Sequence, residues 1–348
     1  MTRFSMGTLL LYAVAVGAMP SSSRAQMPSP SAAQPVTAAG ALAPQATAEE
    51  TGRWFRGCWQ TWNDDWRSLG ACYDEAIVSE EPGSGSPPWR GRPAVLGHVE
   101  LFKSVFPDAR GELELVLTNG RRAAGIALVT GTHQGEMRQP GGVIPPTGKR
   151  LAIPVGHQLE IGDSGRSVNE LIFLDHAALW GQLGLFPGSH RAAVSPSGRE
   201  PVVVAAQGDE RERQNLAAYS RRLELQNGRD RAALEAAMDE RLVWSELALP
   251  ADLDRAGALA HFQELWKGFS DLRWTLASSW AAGPYVVAVG VFAGTHDGEL
   301  APWGLPATGR ALAMPYLEIA RYEAGKLVES RLFYDGQGLL GQLTAAGR

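Results

Sequence analysis

Only two cysteines, Cys58 and Cys72, occur in 348 residues. So few exclude a disulfide-built scaffold and leave two readings: one bridge formed in an oxidising compartment, or two buried thiols on packed helices. The chain also lacks an apolar run of the ~20 residues that a helix needs to cross a bilayer, so no membrane is expected as a partner of the mature chain. It has no basic run either. Its 32 Lys and Arg are mixed with 37 Asp and Glu for a net charge of -5, which argues against a phosphate backbone as partner. No His, Cys or carboxylate pair recurs at a metal-ligand spacing, and no glycine-rich loop leads from a strand into a helix. Neither a metal nor a nucleotide cofactor is expected. The absence of a Gly-x-Ser-x-Gly elbow removes the usual serine hydrolase.

What is present begins with an export signal. Arg3, the apolar stretch Met6 to Met19, and small residues before Ala25 predict cleavage after Ala25, with an uncleaved anchor as the alternative. Cleavage removes Arg3 and Arg24 and makes the chain more acidic by two charges. The expected location is outside the cytoplasm, periplasmic or secreted. Residues 26–48 are Pro, Ala and Ser with few bulky side chains, a composition that predicts a disordered tether. A first domain is expected over 49–186, a linker over 187–207, where Pro187-Gly188 and Pro196-Ser-Gly198 fall, and a second domain over 208–348.

That division rests on an internal repeat of about 160 residues, the length of a whole domain. His98 answers His261, and Phe106-Pro-Asp108 answers Phe269-Ser-Asp271. Gly131-Thr-His133-Gln-Gly135 answers Gly294-Thr-His296-Asp-Gly298, and Leu151-Ala-Ile-Pro154 answers Leu312-Ala-Met-Pro315. Phe173-Leu-Asp175 with Gly181-Gln-Leu183 answers Phe333-Tyr-Asp335 with Gly341-Gln-Leu343.

Within each copy, helical periodicity precedes extended periodicity. Trp54, Cys58, Trp62 and Trp66 make a stripe at four-residue spacing, and the stretch around His98, Leu101 and Phe102 ends at the Phe106-Pro107 step. Leu113, Leu115 and Leu117 then alternate up to Asn119-Gly120, a hairpin signal. Asp163-Ser-Gly165 and Glu323-Ala-Gly325 mark later hairpins. Helices followed by a paired antiparallel sheet predict an α+β domain.

The Gly-Thr-His-x-Gly stretch, the Thr-Gly turn at Thr147-Gly148 and Thr308-Gly309, and the last strand ending in Asp before Gln-Leu resemble the SnoaL-like polyketide cyclases of the nuclear transport factor 2-like superfamily. The resemblance implies two tandem cone-shaped domains, each with N-terminal helices on a curved antiparallel sheet around an apolar pocket. It also implies that the domains pair as an intrachain pseudo-dimer, and that Asp175 and Asp335 act as acid/base groups. A carboxylate in an apolar pocket is hard to ionise and exchanges protons near neutral pH; the competing reading is that each Asp caps the helix it precedes. His133 and His296 are the candidate partner bases, against a role in shaping the strand end. His98 and His261 read as packing residues. His157 has no counterpart in the second copy, which argues against a role common to both. Trp180 and Trp303 are candidates for a pocket mouth. The expected function is a cofactor-free enzyme of cyclase or isomerase type acting on an apolar carbonyl compound. The alternative is a non-catalytic module that binds a small apolar ligand or serves as a scaffold.

Overall fold

The computed structural model describes residues 40–139, 142–186 and 190–344. The expected signal, 1–25, lies outside the described residues. Of the expected tether, residues 40–47 lie against the first domain: Leu42 N–H donates to the Gly165 carbonyl (2.8 Å) and the Trp54 indole N–H to the Gly40 carbonyl (2.9 Å).

Helix α1 (Ala48–Asp64) starts at a capping box between Thr47 and Glu50 and buries Trp54, Phe55 and Cys58. It stops short of Trp66, which sits instead in a 3-10 turn, Trp66–Cys72. Strands β1 (Tyr73–Glu80) and β2 (Trp89–Arg90) precede α2 (Arg92–Val105), which carries proline in its first turn and ends before Phe106-Pro107 as the backbone of a pre-proline residue requires. The chain continues with β3 (Arg110–Asn119), β4 (Arg122–Thr132), the separate small hairpin β5 (Met137–Gln139) and β6 (Gly142–Ile144), β7 (Arg150–Ile161) and β8 (Ser167–Phe173). Helix α3 (His176–Gln182) closes the half.

The second half repeats the plan. After β9 (Val202–Ala205) come α4 (Glu210–Asn227), α5 (Arg231–Ala236), β10 (Met238–Glu246) and α6 (Arg255–Gly268). Strands β11 (Arg273–Ala282), β12 (Tyr285–Thr295), β13 (Ala311–Glu323) and β14 (Lys326–Phe333) lead to α7 (Gly336–Thr344). Sheet orders are β2-β1-β8-β7-β4-β3-β9 and β10-β14-β13-β12-β11. Consecutive long strands pair antiparallel, whereas β1 joins β8, and β10 joins β14, in parallel. A parallel pair needs a long connection, and most of the half lies between those strands. The segment 187–207, expected as a plain linker, supplies β9, which adds to β3 through Leu115–Val202 and Leu117–Val204.

The halves share a core. Leu117, Ile126 and Phe173 of the first sheet form one apolar cluster with Trp280, Leu317 and Phe333 of the second. Gly156 permits the contact: a Cβ there would stand 2.8 Å from Leu317 and 2.9 Å from Phe333. Phe333→Ala should therefore cost about 3–5 kcal/mol and leave one cooperative transition. Denaturant unfolding monitored by tryptophan fluorescence and by circular dichroism checks this; two separate transitions, with only one shifted, would contradict a shared core.

Candidate functional site

The first half has a partly open pocket between α1, α2 and the sheet. Its walls are apolar and largely aromatic, with Trp54, Phe55, Trp59, Trp62, Val99 and Leu159 among them. The Cys58–Cys72 pair forms a disulfide in this wall, with Cα atoms 6.1 Å apart. It joins α1 to the end of the 3-10 turn that leads into β1, and closing a loop of that size is worth about 3 kcal/mol in the chain-entropy account.

One carboxylate lies at the sheet side of the cavity. Glu170, 2% exposed on β8, accepts hydrogen bonds from Ser79 Oγ (2.6 Å), from the Tyr73 hydroxyl (3.2 Å) and from His157 Nε2 (2.8 Å). Burial pushes its pKa up, but the hydrogen bond and charge of His157, with the bonds from Ser79 and Tyr73, outweigh it and hold the carboxyl below its usual range. An ionised Glu170 only accepts, so His157 Nε2 carries a proton and, in the neutral ring, Nδ1 keeps its lone pair. That Nδ1 is buried and without a hydrogen-bond partner among the described residues, as is the indole nitrogen of Trp59, whose ring lies 5.7 Å from the imidazole. An acceptor and a donor, both unpaired, thus belong to neighbouring residues of one apolar wall.

The second half replaces this arrangement. Asn63 brackets Gly111 with two backbone hydrogen bonds and Asn227 brackets Trp274 identically, which sets α1 against α4 so that Cys58 answers Arg222. Strand registers make Ser79 answer Trp244, His157 answer Glu318 and Glu170 answer Ser330. Glu318 is locked in a buried ion pair with Arg222 (2.6 Å) and accepts also from Tyr219 and Ser330. A carboxylate so committed is not a free base. A separate small cavity in this half is lined by Glu246, Trp274, Trp303 and Tyr334; Trp180 lines neither cavity.

The four residues expected to carry acid/base chemistry do not converge on either cavity. Asp175 and Asp335, each 3% exposed, sit where the two halves meet. Asp175 accepts from the N–H groups of Ala177 and Ala178 in its own helix and from Gly336 of the other half (3.0 Å). Asp335 accepts from Gln337 and from His176 N–H (3.1 Å each), and its second oxygen faces His176 Nδ1 at 3.2 Å. The pair is a reciprocal cap. His133 and His296 are fully buried, and each accepts at Nδ1 from the N–H of Thr147 or Thr308, at 3.2 and 3.3 Å. Burial holds both imidazoles below the ordinary histidine range. His98 and His261, read as packing residues, instead each pair with a glutamate that sequence reasoning passed over: Glu81 at 3.3 Å and Glu246 at 3.2 Å.

The profile described as SnoaL-like polyketide cyclase matches the chain twice, over residues 49–183 and 217–343. The chain belongs to that family. Its two copies have the nuclear transport factor 2-like fold, and membership points to cofactor-free chemistry of cyclase or isomerase type on small apolar molecules. Similar solved structures include a protein assigned as a SnoaL-like polyketide cyclase from Jannaschia sp. CCS1 (21% identity, 40% of this chain and 97% of that one, TM-score 0.37). Others are IdmH of Streptomyces antibioticus, assigned as a polyketide cyclase (23%, 40% and 99%, 0.34), and AclR of Streptomyces galilaeus, assigned as a hydroxylase (23%, 41% and 90%, 0.36). No curated protein matches the sequence.

The motifs behind the family resemblance are structural staples present in both copies. Asp108 and Asp271 each accept from the backbone and hydroxyl of the Thr before the buried His. Gln182 and Gln342 each pin the last helix by a two-way amide bond to Ala152 or Ala313. Gly135 and Gly298 allow a close approach, since a Cβ would fall 2.1 Å from the Ser104 carbonyl or 1.9 Å from that of Lys267. Among the described residues no cluster of His, Cys, Asp or Glu is arranged to hold a metal ion, and no helix is long and apolar enough to cross a membrane.

Burial, then the neighbouring Asp335 charge, raises the Asp175 carboxyl to about 6, against the pull of its three N–H donors. Its folded pKa exceeds the unfolded one, so its contribution is fully present below about pH 4 and is lost as pH rises through about 6, a change of about 3 kcal/mol. Asp175→Asn should therefore gain stability relative to the parent by roughly that amount between about pH 4 and 7. Paired urea unfolding curves across that range measure it; a difference that does not vary with pH would contradict the assignment.

Proposed function

We propose that the first half is the working half, a cofactor-free acid/base site for an apolar carbonyl compound, with His157 as the base. The observation that carries this reading is the unpaired His157 Nδ1 in an apolar wall, its ring held by Glu170 through Nε2. In the proposed reaction the ligand carbonyl accepts from the Trp59 indole N–H while His157 Nδ1 takes a proton from the adjacent carbon. The C–H electron pair moves onto the carbonyl as an enolate, and Glu170 stabilises the imidazolium. Attack of the enolate carbon on a second carbonyl closes a ring, and the new alkoxide recovers the proton from His157. Return of the proton to a different carbon gives isomerisation instead.

Asp175 and Asp335 enter this reading as the caps that hold the last helices together, not as proton shuttles. Export is part of the proposal, supported by the N-terminal apolar stretch and by a disulfide that an oxidising compartment would maintain. A purely binding role is favoured by one observation: in the second half a buried ion pair occupies the position of the dyad, so the fold tolerates loss of the base.

The test is mass spectrometry of small molecules retained by the exported chain, followed by turnover of the retained compound. An apolar carbonyl compound is expected, and His157→Gln should still hold it while losing about 10²–10⁴-fold in kcat. Retention of no such compound, or unchanged conversion by the variant, would overturn the catalytic reading.

A further inference from the structure

The wall of the first cavity contains a second imidazole, that of His98, which stacks on Trp89 with ring centroids 3.8 Å apart. From it a chain of polar side chains leads out of the cavity. His98 Nε2 lies 3.3 Å from Glu81 Oε1; the other oxygen of Glu81 lies 3.7 Å from His176 Nε2; and His176 Nδ1 lies 3.2 Å from Asp335 Oδ2. The line runs from α2, through the segment after β1, to the first residue of α3 and across to the cap of α7 in the other half. The segment after β1 is wedged in place: a Cβ on Gly83 would stand 2.8 Å from Met314 Sδ and 3.7 Å from Asp335 Cβ.

The duplicated half breaks the chain. Glu246 and His261 reproduce the Glu81–His98 pair, but the position of His176 is taken by Gly336, which has no side chain to bridge. The bridging imidazole is therefore found beside the half that keeps the His157–Glu170 dyad.

We propose that His176 is a pH-responsive clasp which, through Glu81, positions His98 in the cavity wall, so that ligand affinity in the first half depends on protonation of a residue at the seam between halves. This rests on the first cavity being the ligand site. The groups that face His176 are Asp335 from the end of β14 and Glu81 after β1, with Asp175 beyond them, and His98 of α2 faces Glu81. Burial alone would lower the His176 pKa, but the hydrogen bond and charge of Asp335, with Glu81 and Asp175, raise it above the usual value. Protonated, it lies between two carboxylates and draws Glu81 toward the seam. On losing its proton it leaves Glu81 and Asp335 unneutralised, and the clasp slackens. A raised folded pKa means that this stabilisation is complete below about pH 6.5 and is lost as pH rises through the higher folded value. His176 is a positioning residue; it does not touch the ligand.

The test uses the full chain and Nile red, a neutral apolar carbonyl dye whose charge does not change over the range. Its affinity is read from fluorescence titrations between about pH 5.5 and 9. The parent should weaken at least about fivefold as pH rises, and His176→Gln should show a flat profile. Glu81→Gln should also flatten the dye profile while keeping the pH dependence of unfolding that comes from His176 and Asp335. A flat parent profile, or an unchanged one in His176→Gln, overturns the proposal. Val99→Trp, which fills the cavity, should abolish dye binding. If it does not, the cavity reading fails, and the clasp is then judged by unfolding alone: loss of parental stability across the same range must disappear in His176→Gln, and its persistence overturns the clasp.

Discussion

A carboxylate held out of water beside an apolar hollow must be surrounded by donors, and much of the first half is arranged around that requirement at Glu170. Tyr73 and Ser79 come from β1, His157 from β7, and Glu170 itself from β8, so three neighbouring strands must keep register for the bonds to form. The imidazole is oriented by its contact at Nε2, and its other nitrogen is buried without a hydrogen-bond partner among the described residues, in a wall of aromatic and aliphatic side chains. The disulfide and the aromatic face of α1 close that wall from the helical side.

Duplication separates scaffold from chemistry. The Asp–Thr clamps, the buried histidines and the glutamine staples recur inside each half, and the reciprocal caps of Asp175 and Asp335 tie the two halves to each other. The dyad does not recur. In the second half the acidic group has moved from the β8 position to the β7 position, and the disulfide cysteine of the helix has become Arg222, its partner. The result is a buried ion pair whose carboxylate is fully engaged, where the first half has a carboxylate bound to a histidine.

The sequence made the fold legible because duplication printed most of its landmarks twice, and because the hairpin turns, the helix end at Phe106-Pro107 in the first copy, and the order of helical and extended periods correspond to elements. The edge strand β9 was hidden in a segment whose proline and glycine signals spoke only of a connection. The site was less legible for a related reason. Recurrence drew attention to His133, His296, Asp175 and Asp335, and recurrence marks what the fold needs in both copies. His157 was set aside because it had no counterpart, which is what a site retained in one copy looks like. One signal was open to a closer count: in β8, Glu170 keeps the two-residue phase of Ile172, and His157 lies across the Asp163-Ser-Gly165 hairpin from that strand, so both point to the same face. The glutamates paired with His98 and His261 could not be found by periodicity, because each pairing joins a helix to a residue at or just past the end of a strand that precedes it.

The most direct test is of the histidine itself. Long-range nitrogen–proton correlation spectra of the full chain, with His157 assigned by its loss in His157→Gln, report which ring nitrogen carries the proton. A ring protonated at Nε2 is predicted, whose Nδ1 signal moves when an apolar carbonyl ligand is added. A ring protonated at Nδ1, or one indifferent to such a ligand, would contradict it.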